Sequence, residues 1–191
     1  MKHRAVLPMQ IAKYGTILVS VLYFILALVC VLDFTISMTS IEKILGSLFL
    51  MFGMIKLIGY FSKDLFRLAF QYDCPFGIYL ITLGLFVLLK APIPFQWVSW
   101  SYGISRILDC LCKIKITKDA KCFGIEKWWI ILVLAILSGI SGLAFMVLYQ
   151  QELALLLLSI TLILEGILNI SVMISMVKII HYQQPDELKE R

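Results

Sequence analysis

Six apolar runs, each near the length that crosses a bilayer, constrain this chain more than any other feature. They lie at 14–34, 44–61, 75–89, 95–113, 128–149 and 153–178. A helix needs about 20 mostly apolar residues to span the hydrocarbon, where its backbone polar groups must be satisfied within the helix itself. The expectation is an all-α integral membrane protein with six transmembrane helices. Hydrophobic residues make up 61% of the chain and charged residues 15%. Soluble domains sit near about 45–50% and 25%, so residues 1–191 read as one polytopic membrane domain. The third run is the shortest, its limits fixed by Pro75 at its start and by Pro92 and Pro94 after it.

The start, Met1-Lys2-His3-Arg4, imitates a signal peptide. The first run, however, continues to Phe34, past the usual apolar core of about 7–15 residues, and no small-residue cleavage site follows it. Ala27-Leu28-Val29 before Cys30 fits a lipoprotein site poorly, so a retained first span is expected.

Basic residues are unevenly placed. Thirteen (Lys2, Arg4, Lys13, Lys63, Arg67, Lys113, Lys115, Lys118, Lys121, Lys127, Lys178, Lys189 and Arg191) fall on one side of the alternating runs, against Lys43 and Lys90 on the other. By the positive-inside rule both termini are expected in the cytoplasm. The net charge of +5 therefore reports topology rather than a nucleic-acid partner. Four of the five cysteines (Cys74, Cys110, Cys112 and Cys122) fall towards that reducing side, which argues against a disulfide framework. Residues 61–72 carry apolar positions at helical spacing, read either as a short surface helix or as an extension of a neighbouring span. The polar tail 183–191 is expected to fray.

Short loops on the far side make the chain three helical hairpins of one orientation. Aligned on a glycine, the even runs read Gly53-Met54-Ile55-Lys56, Gly103-Ile104-Ser105-Arg106 and Gly166-Ile167-Leu168-Asn169. Gly46, Gln96 and Ser159 stand seven residues earlier, and Ala27, Gly84 and Gly142 correspond in the odd runs. Repeats of one orientation imply an axis along the membrane normal, here a pseudo-threefold. The plain account of Gly53, Gly103 and Gly166 is close helix packing.

These Gly-x-x-polar helices, with the run Gly84-Leu85-Phe86-Val87-Leu88-Leu89-Lys90-Ala91-Pro92 and the stretch Asp119-Ala120-Lys121-Cys122-Phe123-Gly124-Ile125-Glu126-Lys127-Trp128-Trp129, resemble the HdeD-like acid-resistance membrane proteins. That family is built from short tandem repeats of unknown function. The resemblance covers about residues 14–180, and departs from the pattern where Ala27 and Asp33 replace the usual glycine and proline. It implies a bacterial inner-membrane protein with six helices, linked to acid stress, and supplies no catalytic residues.

The sequence carries no recognisable catalytic motif. Only His3 and His181 are histidines, and H-E-x-x-H, P-loop, G-x-S-x-G and dinucleotide patterns are absent. A non-enzymatic protein without metal or cofactor is expected. Cys110-x-Cys112 lacks metal-site spacing and reads as packing residues; a redox or metal role with Cys122 is the remote alternative. The ionisable residues inside the runs are Lys56, Arg106, Asp109 and Glu165, with Asn169 beside them. Charges there are costly, by about 2.5–3.5 kcal/mol each on insertion scales, and need partners. Arg106 and Asp109 are spaced to pair locally. Lys56 and Arg106 have a bland account in snorkelling to the surface. Glu165 has no such escape, so it is expected to face the bundle interior and pair with Arg106 or, failing that, Lys56. A structural ion pair or a neutral acid is the favoured role, with a small transporter or channel using Glu165 with Lys56 or Arg106 as a proton-sensitive relay as the alternative. The expected partner is the lipid bilayer. Homo-oligomerisation is compatible with the sequence, nucleic acid is not, and no substrate can be read from it.

Overall fold

A computed structural model describes the backbone of residues 3–32, 37–61, 70, 72–90, 92–122, 124, 128–149 and 154–187. Side chains are described for the same segments, except 3–7, 9 and 176–187. The chain is all helical over these residues: α1 His3–Leu32, α2 Met38–Phe61, α3 Asp73–Lys90, α4 Phe95–Cys122, α5 Trp128–Val147 and α6 Ala154–Glu187. The surface-helix reading of 61–72 falls mostly outside the described residues.

Several helices outrun the apolar windows that predict them. α1 begins at His3 and α4 continues to Cys122, while α6 runs through most of the tail expected to fray. All three extensions lie at the end of the bundle that holds both termini. Hydropathy marks where a helix leaves lipid, whereas the backbone ladder continues into water as long as propensity allows. At the other end α2 starts six residues earlier than expected, where the Ser37 carbonyl accepts from the N–H groups of Ser40 and Ile41.

Five helices are long and apolar enough to cross a membrane. α4 is not one of them, contrary to expectation, because Arg106, Asp109 and Lys113 lower its hydropathy. The charges in its first five turns, Arg106, Asp109 and Lys113, turn inward. Ser99, Tyr102, Arg106, Asp109 and Lys113 are buried, while Trp97, Trp100, Ile104, Leu108 and Leu111 face outward. The same inversion holds round the molecule, with Leu18, Ile25, Ile78, Leu85, Ile136, Leu143 and Ile163 on the outside. Such a surface suits lipid rather than water. Exposed Trp97 and Trp129 stand at opposite ends of the bundle, as aromatic side chains do at the two interfaces.

The helices form a ring in chain order, closed by α1 against α6. The tightest pairs are α2 with α3, α4 with α5 and α6 with α1; the helices within each expected hairpin pack less closely. Tight and loose contacts thus alternate three times round the ring, the pattern a pseudo-threefold requires. Glycine makes the tight pairs possible. A Cβ on Gly53 would lie 2.7 Å from the Gly77 carbonyl oxygen, and one on Gly84 2.7 Å from that of Gly46. On the next tight pair a Cβ on Gly142 would lie 2.5 Å from Arg106 Cβ, and one on Gly103 2.9 Å from the Gly142 oxygen. Without a hydrophobic drive between spans, close backbone approach of this kind supplies the packing.

A buried charged centre

The polar residues converge where the apolar rule is most strictly broken. Arg106 of α4 and Glu165 of α6 are wholly buried, with Nη1 2.7 Å from Oε1. Lys113 of α4 joins them. Its ammonium donates to Asn169 Oδ1 at 2.7 Å and to Glu165 Oε1 at 3.2 Å, and pairs with Asp109 one turn back. Two of its hydrogen bonds thus go to α6, and the Asp109 carboxylate faces the same ammonium as an ion pair.

Glu165 is supported on every side. Asn169 Nδ2 donates to Oε1 at 3.0 Å from one turn along α6, and the Ser138 hydroxyl of α5 donates to Oε2 at 3.1 Å. The Arg106 guanidinium rests 5.0 Å over the Tyr102 ring, and its Nε donates to the Ser105 hydroxyl at 3.3 Å. With Arg106 and Lys113 facing Glu165 and Asp109, the centre holds two charges of each sign. Balanced and hydrogen-bonded charges are the kind a low-dielectric interior tolerates.

Towards the end away from the termini, aromatic rings seal the centre. Tyr102 stacks on Phe49 at 5.8 Å and meets Phe145 edge-on at 5.8 Å, and Phe145 meets Phe95 at 6.0 Å. Val98, Leu155 and Leu158 complete that apolar layer. Towards the termini the packing is wetter. Lys56 Nζ lies 2.7 Å from Asp73 Oδ1, each side chain 11% exposed, with the ammonium also over the Phe52 and Phe76 rings.

The structure brings Arg106, Asp109, Glu165 and Asn169 together as the spacing suggests, and corrects three details. Asp109 pairs with Lys113 rather than with Arg106. Arg106 does not snorkel, because Glu165 gives it a partner at its own depth. Lys56 serves Asp73, at the start of α3, and makes no contact with Glu165. Lys113, Ser138 and Asp73 are the members that sequence reasoning missed. Lys113 carried a legible signal, since 106, 109 and 113 share one helical face. Asp73 carried none, because only the folded α2–α3 pair brings it to Lys56.

The repeat glycines each face a neighbouring helix: Gly53 meets Gly77 and Ile81, Gly103 meets Gly142 and Met146, and Gly166 meets Ser20 and Phe24. They do not share one position along their helices. Gly46 and Gly103 both stand eight residues past the first residue of their helices, whereas Gly53 stands fifteen past.

The five cysteines are free thiols. Among the described residues no group of three or more His, Cys, Asp or Glu is arranged to hold a metal.

A family model described as a short repeat of unknown function (DUF308) matches the chain twice, at residues 18–89 and 75–147. The two matches share the start of α3 through nearly its end, so each repeat spans three helices of the ring. The second begins 57 residues after the first, the interval that separates Gly46 from Gly103. Gly46 and Gly103 also share a setting, each packed on a glycine backbone of the next helix, Gly84 and Gly142. No curated protein and no solved structure matches the chain.

Proposed function

The chain belongs to the short-repeat family of unknown function (DUF308), and on that premise we propose that it is an HdeD-like, non-enzymatic protein of a bacterial inner membrane serving under acid or envelope stress. In this reading α4 is the sixth span, admitted by its charges turning inward, and both termini lie in the cytoplasm. The uneven placement of Lys and Arg supports that orientation.

The observation that carries the reading is the closure around Glu165. A carboxylate held by Arg106, Lys113, Ser138 and Asn169 beneath aromatic rings ties α4, α5 and α6 together, as a structural ion pair does. Cells lacking the chain are expected to survive acid or membrane-perturbing stress less well, and the wild-type chain to restore survival. Equal survival with and without it overturns the stress role.

A second reading, a small proton-sensitive transporter, draws on the charged residues that line a cavity near the termini. Proton flux into reconstituted vesicles separates the two. The structural reading expects no flux above protein-free vesicles, and a flux lost in Glu165→Gln replaces it with transport.

A further inference from the structure

Exposure falls in steps along the charged groups. Lys56 and Asp73 are each 11% exposed, Lys113 is 5%, Asp109 2%, and Arg106 and Glu165 0%. Water therefore approaches this set from the end that holds the termini. A partly enclosed cavity of about 20 Å³ lies on the same route, lined by Lys56, Asp73, Asp109, Cys112, Lys113 and Asn169. That is room for a water molecule, and these walls supply more than the two to four polar partners a buried water needs.

We propose that this cavity is a hydrated vestibule that delivers protons from the aqueous phase to Asp109, making Asp109 a proton-binding site inside the bundle. The inference rests on the cavity and does not depend on the stress reading. Of the three carboxylates near it, Asp73 stands at the outer edge with Lys56 as its own partner at 2.7 Å, and geometry separates the two deeper ones. Asp109 lines the cavity and shares its one ion-pair partner, Lys113, with two other acceptors. Glu165 is not among the lining residues, and four side chains occupy its oxygens.

The step balances simply. A proton from water binds the Asp109 carboxylate and ends its charge pairing with Lys113, and the ammonium keeps its hydrogen bonds to Glu165 and Asn169. Two charges of each sign become two positive and one negative. Lys56 from α2, and Arg106 and Lys113 from α4, oppose that added charge; Glu165 from α6 and Asp73 from α3 favour it. The thiol of Cys112, the Thr16 and Tyr23 hydroxyls of α1 and the Ser138 hydroxyl of α5 contribute dipoles only. The aromatic seal above Tyr102 leaves the proton no onward route, so uptake and release occur from the same side.

Infrared difference spectroscopy on the protein in lipid, with isotopically labelled aspartate, tests this directly. Acidification from about pH 8 to about pH 4, across the carboxylate range, should raise a protonated-carboxyl C=O band. A label-sensitive part of it should vanish in Asp109→Asn and become label-insensitive in Asp109→Glu, while persisting in Asp73→Asn. Asp109→Glu, which keeps the partner of Lys113, answers the question if Asp109→Asn fails to fold. Thr16→Leu, which fills the cavity from α1, should slow the rise of that part several-fold. A band unchanged by both Asp109 substitutions overturns the site, and one whose rate ignores Thr16→Leu overturns the vestibule.

Discussion

Arg106 Nη1 and Glu165 Oε1 meet at 2.7 Å across α4 and α6, with neither side chain exposed to solvent. Burial of that kind gives the pair an asymmetric energetics. Desolvating both ions offsets most of their attraction, so the pair adds little over a well-packed apolar alternative. Removing one partner leaves the other as an uncompensated charge, and that is costly.

The first prediction follows. Arg106→Ala should destabilise the protein by about 3–5 kcal/mol, and Glu165→Gln by a comparable amount. The double variant Arg106→Gln with Glu165→Gln should lose less than the sum of the two single losses, by at least about 1 kcal/mol. Unfolding in detergent of the two singles and the double measures the coupling. Strictly additive losses would mean that the two side chains do not act on each other.

Lys113 gives the second. It is the shared cation of Asp109, Glu165 and Asn169. Lys113→Met should therefore cost about 3–5 kcal/mol by leaving two carboxylates with one guanidinium. Two residues on, Lys115 is exposed. Lys115→Met should leave the unfolding midpoint close to that of the wild type. Equal effects at the two positions would place Lys113 at the surface after all.

The history of Lys113 shows what the sequence could and could not convey. Apolar run length indicates the helices and their number, because hydrocarbon thickness acts on composition alone. Glu165 stood out since nothing at its depth could hydrate it, and Arg106 was the matching cation. Its place at the end of an apolar run counts Lys113 among the basic residues of one membrane side. Helical phase would have put it on the face of Arg106 and Asp109. Phase and depth are separate signals, and depth misled. Lys56 failed for another reason: both candidate acids lay in spans, and the real partner, Asp73, sits at a helix start that only tertiary packing brings near.

Close packing supplies the third prediction. A Cβ at Gly142 meets Arg106 Cβ, and a Cβ at Gly53 meets the Gly77 backbone; neither neighbour can swing aside. At Gly15 the nearest atoms belong to the flexible Ile55 side chain, 3.0 Å away. Gly142→Ala and Gly53→Ala should each cost about 1–3 kcal/mol, the range of an overpacked core, and Gly15→Ala distinctly less. Thermal unfolding of the three variants in detergent gives the ranking, and a larger loss at Gly15 would contradict the tight pairing of α2 with α3 and α4 with α5.

Orientation is the last. Lys90 ends α3 at one end of the bundle, and Lys118 lies on the extension of α4 at the other. Both are exposed, so a thiol at either position can be reached by a reagent confined to water. Basic residues concentrate at the Lys118 end, and the membrane potential and anionic inner leaflet favour retaining that end in the cytoplasm. In a background without native cysteines, Lys90→Cys should react with an impermeant maleimide added to intact cells. Lys118→Cys should react only after the membrane is opened. The opposite result would turn the bundle over, and the vestibule leading to Asp109 would then face the outside.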